Sequence, residues 1–457
     1  MAQRIPIGFY GFDSGVEDVT WAQRTHWHNA EISGVTETAG GMMRLAEGTT
    51  LEDIVKLLRY IMSRHQALRT RIFVDALGNL KQEVMASGVI ELEVVDADDT
   101  ADPAVIAEAL RVAYDAAKWD FANEWPVRMA IVRQRGVATH FVAMYSNICI
   151  DGYGIDALRV DLSNMDRATG APLTPVDGVK PLELARLQKT PTAKRQSQSS
   201  LRHWEKILRE IEPRRFDESH DKRSPRYWEC TLRSKAMHMA LHIISERCNV
   251  HSGTVMLAAY AVVLARISGR PKTLVRTIVS NRFRPGFQAS VSNLAQGGLC
   301  LIDVSDCTFD VAVDRAFKSQ LSTGMHSYFD PRDVWEVTER VSHERGAELD
   351  LWVAYNDRRR GIAAAPPEGP HATRDQVLEA MLDTEFAWTR KWDNFDATTY
   401  LILNEIPDTL DCQMHADTHA LSPEQLENAF RELESLIVEA AFNPEASTRV
   451  HSVAPAL

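Results

Sequence analysis

The sequence lacks the features that mark several common protein classes. Its six cysteines are scattered through 457 residues without a CxxC pair, which argues against a zinc finger, a thiol redox motif or a disulfide framework. The longest apolar segment, Val255–Ala265, has eleven residues and is too short to cross a bilayer. The N-terminus has no apolar stretch typical of a secretory signal. We therefore expect a cytoplasmic protein with reduced thiols and no membrane partner.

Other absences narrow the range of functions. Lys and Arg number 51 against 63 Asp and Glu, a net charge of −12 without a basic block, so no nucleic-acid partner is expected. The sequence contains no Walker loop, GxGxxG, GxSxG or HExxH pattern. His26 and His28 lie two residues apart in "THWH". Because no further metal ligands cluster near them, a packed or surface pair is favoured over a metal site.

The composition predicts a globular α/β protein with two domains. Hydrophobic residues make up 45% of the chain and charged residues 25%, and 457 residues exceed what one ordinary core holds. Residues 185–208 are polar and rich in Ser, Gln and Lys, which is typical of a linker. The predicted domains are therefore 1–185 and 201–457, joined by a linker at 186–200. Both halves mix strand-like and helix-like patterns.

Local patterns predict individual elements within these domains. The stretch 51–64 has apolar residues at helical spacing after Thr50, and Thr20 precedes a second helix. Two strand-like runs flank Gly78, as in a hairpin. The apolar run that begins at Ser252 predicts a buried helix with Ser252 as its N-cap and Gly269 as its stop. Residues 362–374 are predicted to form a loop.

The stretch 145–154, "YSNICIDGYG", connects a strand-like run to a helix-like run. Asp151 is suited to cap the helix, because a carboxylate at a helix start accepts backbone N–H groups and complements the dipole. Cys149 lies between two isoleucines with no histidine beside it, so a buried thiol is favoured over a nucleophile.

Five segments in order resemble the condensation domains of nonribosomal peptide synthetases. "SRHQALRTRIF" (63–73) is similar to the RHExLRTxF signature, and "MYSNICIDGYG" (144–154) falls where the family carries MHHxxxDG. The other three resemble the opening helix, the strand before that motif and an Asn-Arg-rich segment of the second lobe; they are "TWAQRTHW" (20–27), "WDFANEWPVRMAIV" (119–132) and "SNRFRPGFQASVSNLAQGGLCLIDV" (280–304). The resemblance covers roughly residues 15–445.

The resemblance implies two chloramphenicol-acetyltransferase-like lobes in a V-shaped arrangement with a central tunnel. It also implies an acyl or peptidyl carrier protein as partner, whose phosphopantetheine arm brings the acyl donor. A small-molecule or peptidyl amine is the implied acceptor, and no bound cofactor or metal is implied. We expect a stand-alone protein of this kind.

The sequence departs from the family at the motif's two histidines. Aligning Asp151 and Gly152 with the family's Asp-Gly puts Ser146 at the first histidine and Asn147 at the second. Imidazole titrates near neutral pH and can take a proton from an amine, which a carboxamide cannot. A carboxamide can still accept a hydrogen bond from an amine or donate one to an oxyanion. Asn147 and Ser146 are therefore the catalytic candidates.

The remaining candidates are structural or line the implied tunnel. The family carries an ion pair between the motif's aspartate and an arginine, for which Arg282 is the first candidate here and Arg69 the second. Gly152 is expected to permit a close approach of the backbone. Tyr145, Tyr153 and Asn356 are candidates for lining the tunnel, although packing or an ordinary turn explains them equally well; no residue is assigned to a metal.

Three hypotheses stay open on the sequence alone. The first is an acyltransferase that forms an amide from a carrier-bound thioester and an amine. The second is an inactive docking platform for carrier or tailoring proteins, and the third is an altered tailoring or cyclisation reaction. The platform is favoured by the loss of both imidazoles with none nearby in sequence, since His140 lies six residues along a strand from Ser146, about 20 Å away.

Overall fold

The computed structural model describes residues 2–217, 219, 221–359, 371–395 and 397–452. The chain divides into two compact units. The first comprises Met1–Gln196, Ser280–Gln296 and Phe329–Pro331, and the second comprises Ser197–Val279, Gly297–Tyr328 and Arg332–Leu457. The first unit thus includes a segment, 280–296, from the second half of the chain.

The first unit contains a five-stranded sheet of order β1-β6-β7-β8-β3 and a three-stranded sheet of order β2-β5-β4. The strands are β1 (Ala2–Tyr10), β2 (Gly15–Asp18), β3 (Thr38–Arg44), β4 (Thr70–Val74), β5 (Leu80–Val84), β6 (Ser87–Ala97), β7 (Val127–Gln134) and β8 (Val137–Ser146). All neighbours in the larger sheet are antiparallel except β6 and β7. The predicted hairpin is present as β4 and β5, paired antiparallel.

Six α-helices begin within the described residues up to Gln196 of the first unit. They are α1 (Trp21–Ser33), α2 (Leu51–Arg64), α3 (Pro103–Ala116), α4 (Gly152–Asp161), α5 (Pro181–Gln188) and α6 (Pro191–Glu210). Thr20 and Thr50 are the N-caps of α1 and α2, as predicted, and each also forms a capping box with the third residue of its helix. The polar stretch 186–200, predicted to be a linker, instead lies mostly in α5 and α6. Its polar residues form the solvent side of amphipathic helices, whose buried positions include Ala193 and Ser197.

The second unit is built on a seven-stranded sheet of order β11-β10-β12-β14-β15-β9-β13. Its strands are β9 (Tyr227–Ser234), β10 (Lys272–Val279), β11 (Gln296–Asp303), β12 (Val353–Asp357), β13 (Glu385–Trp392), β14 (Thr399–Ile406) and β15 (Thr409–Asp417). Its remaining helices are α7 (Lys235–Cys248), α8 (Ser252–Ser268), α9 (Phe309–Met325), α10 (Pro331–Arg345), α11 (Arg374–Ala380) and α12 (Pro423–Phe442). Both units therefore mix α and β structure, as predicted.

Helix α8 lies at the centre of the second unit's core. Every residue from Ser252 to Ala265 is buried, which agrees with the apolar pattern on all its faces. Gly269 ends the helix in the left-handed conformation, with φ 67°, as predicted. The predicted N-cap, Ser252, is wrong by one residue, because the ring nitrogen Nδ1 of His251 accepts the N–H of Gly253.

Two kinds of feature are absent from the described residues. No single helix among them is long and apolar enough to span a membrane, and α7 and α8 reach that length and apolarity only as a pair bent by 105°. No group of three or more His, Cys, Asp or Glu residues in the described ranges is placed to hold a metal ion. Of the loop predicted at 362–374, residues 362–370 lie outside the described residues.

The buried histidines of α7 generate a prediction about pH. Burial, the neighbouring His238 and the charge of Arg359 lower the pKa of His242 from 6.5 to about 4. The folded protein therefore holds His242 neutral at a pH where the unfolded chain binds a proton. Above pH 6.5 the ring is neutral in both states, and its contribution to the free energy of unfolding is fully present. As the pH falls from 6.5 towards 4 the unfolded chain binds a proton that the folded protein does not, so the free energy of unfolding decreases.

We expect the Tm of a His242→Gln variant to fall less between pH 7 and pH 5 than that of the wild type. Thermal unfolding followed by circular dichroism measures both differences. His451→Gln, at a side chain that is 87% exposed, should keep the wild-type dependence. Equal falls in the wild type and His242→Gln would contradict the prediction.

Candidate functional site

The stretch quoted from the sequence forms a loop between β8 and α4, called here the motif loop (residues 146–151). Strand β8 ends at Ser146, and α4 begins at Gly152 with Asp151 as its N-cap. The Asp151 Oδ1 accepts the N–H of Gly154 at 2.7 Å. The carboxylate therefore satisfies one of the helix's free donors and complements its dipole, as the sequence predicted.

The second oxygen of Asp151 holds the segment 280–296. Oδ2 accepts hydrogen bonds from Nη1 of Arg282 at 2.8 Å and from the N–H groups of Leu294 and Ala295 at 2.8 and 3.1 Å. Both charged side chains are only 9% exposed. We call this group of four residues the Asp151 clamp. It fixes the start of α4 against a segment more than a hundred residues later in the chain.

Arg282 is bonded beyond its ion pair. Its Nη2 donates to the main-chain oxygens of Ser290 and Ser292 at 3.1 and 2.9 Å. Because a buried guanidinium without partners is costly, these carbonyls complement the carboxylate in pairing its two terminal nitrogens. The segment from 282 to 292 is thereby closed into a compact turn around the arginine.

Arg69, the second candidate for this ion pair, lies elsewhere and does not contact Asp151. It is 1% exposed, and its Nη1 donates to the main-chain oxygens of Asp13 and Met85. The sequence left open whether Arg282 or Arg69 pairs with Asp151. In the structure Arg282 forms this ion pair. Arg69 instead ties the strand that follows α2 to the loop after β1.

Asn293 was not singled out from the sequence, although it lies inside the "SVSNLAQGG" segment. Its side-chain amide donates to the main-chain oxygen of Asn147, and its main-chain N–H donates to the main-chain oxygen of Cys149 at 2.9 Å. Its Oδ1 accepts the N–H of Ala295 at 3.0 Å. One side chain therefore connects the middle of the motif loop to the segment that the Asp151 clamp holds.

A close backbone approach is found at Gly154, two residues after Gly152, where it was predicted. A Cβ atom at Gly154 would lie 2.6 Å from the main-chain oxygen of Ser292 and 2.7 Å from a carbon of Ile150. Neither neighbour is the end of a flexible side chain. Gly154 therefore has a steric requirement for glycine, and the requirement expected at Gly152 stays a prediction.

Ser146 and Asn147 differ in their exposure to solvent. Ser146 is fully buried, and its hydroxyl accepts the N–H of Ile148 within the motif loop. Because that hydroxyl is buried and bonded inside the loop, it has a structural role. Asn147 is partly exposed. Its main-chain N–H donates to the oxygen of Glu37 at 3.0 Å, which continues the β3–β8 pairing by one residue.

The side chain of Asn147 has an unusual feature. Its Oδ1 is buried and accepts no hydrogen bond from any described residue. Most buried polar atoms in proteins have a partner, and those without one often lie at functional sites. Asn147 is therefore the residue of the motif loop with a side-chain acceptor that no described residue uses.

The other candidates do not join Asn147 as catalytic groups. Cys149 is 2% exposed, and burial raises the pKa of its thiol, so it packs as predicted and is not a nucleophile. Burial likewise raises the pKa of Tyr145, which lies in the first unit's core. Tyr153 is 43% exposed, with Arg282 5.9 Å from its ring centre. Asn356 belongs to the second unit, where it donates to the Tyr400 hydroxyl at 3.2 Å.

A second buried charge network holds the far end of α4. Arg64 at the end of α2 donates through Nε and Nη2 to Asp161 at 2.6 and 2.8 Å, and Nε2 of His65 lies 3.0 Å from the same carboxylate. Burial raises the pKa of Asp161, but the adjacent His65 and Arg64 outweigh it and hold that pKa below its usual range. The "RH" of the sequence segment 63–73 therefore anchors α4.

We expect Asp151→Ala to lower the free energy of unfolding by about 3–5 kcal/mol, because it leaves the buried Arg282 without its counter-charge. Urea denaturation measures the change. Asp156→Ala on the same helix, which removes an exposed pair with Arg159 at 3.4 Å, should cost less than about 1 kcal/mol. Similar losses in the two variants would contradict the clamp.

We also expect Gly154→Ala to destabilise the protein, by about 1–3 kcal/mol, because the added methyl group overlaps fixed backbone. Gly324→Ala, in α9, is the matched control, since no atom lies within 4 Å of the added carbon. That change should be neutral or stabilising, because alanine favours helix. A larger loss at Gly324 than at Gly154 would show that the close approach is not real.

The motif loop lies within a region of the chain that matches a known protein family. The family described as "Condensation domain" matches residues 20–292. Cyclosporin synthetase simA of Tolypocladium inflatum is 24% identical over 247 residues, 51% of this chain and 2% of that protein. Phosphinothricin tripeptide synthetase PhsC of Streptomyces viridochromogenes is 24% identical over 287 residues, 60% of this chain and 26% of that protein. The chain thus spans a small part of these curated relatives.

Solved structures share the fold. The condensation domain that mediates chain release from the enacyloxin polyketide synthase gives a TM-score of 0.70 at 16% identity, over 98% of this chain and 85% of that one. The X-domain of teicoplanin biosynthesis, solved in complex with OxyB, gives 0.69 at 17% identity over 96% of both chains. These structures show the fold, and the family model matches more than half of the chain. The chain therefore belongs to the condensation-domain family.

Proposed function

We propose that the protein is a condensation-type acyltransferase that forms an amide from a carrier-bound thioester and an amine. The observation that carries this proposal is the unsatisfied, buried Oδ1 of Asn147 at the position of the family's second histidine. If Asn147 had no function, a hydrogen bond from another group of the protein to its Oδ1 would stabilise the fold. Here the loop is held rigidly and the carboxamide is left unpaired.

The scaffold around Asn147 supports a working site. The Asp151 clamp fixes the loop at one side, and Asn293 fixes the main chain of Asn147 and Cys149. Positioning of two reactants contributes effective molarities of roughly 10⁵ M and above, independently of any base. A rigid loop is what such positioning requires, since small displacements lower the rate steeply.

The carboxamide has two uses in this reaction. Its oxygen accepts an N–H of the attacking amine, and its NH2 donates to the oxyanion that forms on the thioester carbonyl. A half-turn of the side chain exchanges the two groups without a change of shape, so either can face the substrate. Amines attack thioesters with less base assistance than hydroxyl groups need. An amine acceptor therefore fits an asparagine at this position.

The proposed partner is an acyl or peptidyl carrier protein. Its phosphopantetheine arm would present the thioester as a substrate and would not be a resident cofactor. The acceptor would be a small-molecule or peptidyl amine.

A docking platform is the second candidate function. It is favoured by the absence of an imidazole at both motif positions, Ser146 and Asn147. The teicoplanin X-domain, which shares the fold, was solved in complex with OxyB. A platform would keep the Asp151 clamp for stability and would have no need of an unpaired carboxamide oxygen. A tailoring or cyclisation reaction at Asn147 would be detected by the same product analysis.

We expect amide product when the protein is incubated with carrier-bound acyl thioesters and amines and the mixture is followed by intact-protein and small-molecule mass spectrometry. Asn147→Ala should lower kcat by about 10²-fold, the typical cost of one oxyanion donor. Asn123→Ala, at an exposed asparagine of the same unit, should leave kcat unchanged.

The alternatives give different results in this experiment. Full turnover by Asn147→Ala would exclude a catalytic role for the carboxamide. Absence of product from every pair, with a carrier or oxygenase retained in pull-down at stoichiometric amounts, would favour the platform. Loss of water or closure of a ring in the product would identify tailoring chemistry.

A further inference from the structure

Strand β3 (Thr38–Arg44) forms an open edge of the first unit's larger sheet. It stands last in the order β1-β6-β7-β8-β3, so that β8 is its neighbour on one side and no described strand pairs with it on the other. Gly40, Met42, Met43 and Arg44 are exposed to solvent. The two glycines of the strand carry no side chain that would cover the edge. The edge is therefore accessible from outside the sheet.

The register between β3 and β8 decides which main-chain groups face this edge. The N–H of Asn147 donates to the oxygen of Glu37 at 3.0 Å. At the other end of β3 the N–H of Leu45 donates to the oxygen of Thr139 at 2.9 Å. Along an antiparallel pair, such bonded positions alternate with positions whose N–H and C=O point away from the partner strand. The even-numbered residues of β3 therefore point these groups to the open edge.

The outward main-chain groups of β3 are available to another chain. No hydrogen bond of the N–H groups of Gly40, Met42 or Arg44 is found within the described ranges. Successive outward residues lie about 6.8 Å apart, which is the repeat at which an extended peptide presents its own N–H and C=O groups. The edge therefore complements the main chain of a peptide, as in strand addition.

Two other edge strands of the protein are guarded against such pairing, whereas β3 is not. Strand β1 carries Arg4 and Pro6, and β13 carries Arg390 and Lys391 beside a bulge. Charged residues, proline and bulges are the usual means by which proteins block an edge. Strand β3 contains neither Pro nor Lys, and its one charged residue, Arg44, lies at the end away from the motif loop.

The open edge begins beside the motif loop. Thr38 lies opposite Ser146, the first residue of that loop. Neighbouring strands lie about 4.8 Å apart, so a chain added to β3 would run roughly 10 Å from β8. From the point on that chain opposite Gly40, Asn147 is then about 14 Å away, or about four extended residues. A peptide longer than about four residues can therefore occupy the edge while its end reaches Asn147.

The direction of β3 indicates which substrate the edge accepts. Strand β8 runs towards the motif loop, and β3, which is antiparallel to it, runs away from the loop. A chain that pairs antiparallel with β3, the more stable arrangement per residue, runs towards the loop and ends there with its C-terminus. In a peptidyl thioester the reacting carbonyl is the C-terminus of the peptide, whereas an amine acceptor reacts through its N-terminus. The direction therefore favours the donor.

We propose that the open edge of β3 binds the peptide chain of the acyl donor as an added antiparallel strand, with the thioester carbonyl directed to Asn147. This inference rests on the proposed amide-forming function and specifies a peptidyl donor of more than about four residues. Main-chain groups of Gly40 and Met42 provide the hydrogen bonds, so the edge accepts donors of different sequence. The strand binds substrate and takes no part in the bond changes at the carbonyl.

The first test varies the length of the donor. The probes are carrier-bound thioesters of N-acetylated peptides of alternating Thr and Val, with one, two, four or six residues, and one common amine. We expect KM to fall by about 10-fold from the two-residue to the six-residue donor, the gain expected from one or two net hydrogen bonds. Lengthening the amine by the same residues should give no such fall. A KM independent of donor length, or a fall that follows the length of the acceptor, would overturn the proposal.

A proline at position 42 removes one outward N–H and leaves the bonds between β3 and β8 in place. We expect the KM of Met42→Pro to lose its dependence on donor length. Met43→Ala is the control, because the main chain of Met43 faces β8 and its side chain is exposed. It should keep the wild-type dependence, and Tm values confirm that both variants are folded. Equal length dependence in Met42→Pro and the wild type would contradict the role of the edge.

N-methylated donors test the pairing in the unaltered protein. An added strand bonds β3 through every second residue, and the N–H groups of the other residues point away. Two six-residue donors, N-methylated at the odd or at the even positions counted from the thioester, should therefore differ. One should keep the low KM, and the other should have the KM of the two-residue donor. Equal KM values for these two donors would show that no strand is added.

A measurement without turnover separates this inference from the proposed function. Amide exchange of the ¹⁵N-labelled protein, followed by NMR with the six-residue peptide as its C-terminal amide, should slow at Gly40 and Met42. It should not change at Gly41, whose N–H faces β8. Slowed exchange without product from any donor would remove the acyltransferase and leave the peptide-binding edge. Product without slowed exchange or length dependence would remove the edge and leave the acyltransferase.

Discussion

The ion pair between Asp151 and Arg282 is the interaction on which the site depends. Each group is buried, and a buried charge is tolerated only when paired and hydrogen-bonded. The carboxylate meets this condition with the N-terminus of α4, the guanidinium and two main-chain N–H groups. Because these partners come from separate segments, neither can move without leaving a charge unsatisfied. The motif loop is thus fixed by electrostatics rather than by apolar packing alone.

The candidate residue Asn147 lies on this fixed loop. The family's histidine is absent there, and the Oδ1 of Asn147 has no partner among the described residues. The β3–β8 register places Asn147 one residue beyond the last strand pair, where its N–H donates to the main-chain oxygen of Glu37. A shift of this register by one residue would turn the side chains of β8 to the opposite face of the sheet.

Much of the local structure could be predicted from the sequence. The capping boxes at Thr20 and Thr50 and the all-apolar α8 follow from patterns within a few residues. The stretch 186–200, read as a linker, is largely helical, because polar composition is shared by linkers and by the solvent face of amphipathic helices. The N-cap of α8 fell to His251 because an imidazole nitrogen can take the place of a hydroxyl.

At the site, the sequence by itself determined the family, the degenerate motif and a helix N-cap at Asp151, since these depend on residue identity and short spacing. Only the tertiary structure decided that Arg282 rather than Arg69 pairs with Asp151, that Asn293 holds the loop, and that Ser146 is buried. It alone joined the main chains of Asn147 and Glu37. Partners across long stretches of chain are chosen by strand register and helix packing, and neither is written in the spacing of residues along the sequence.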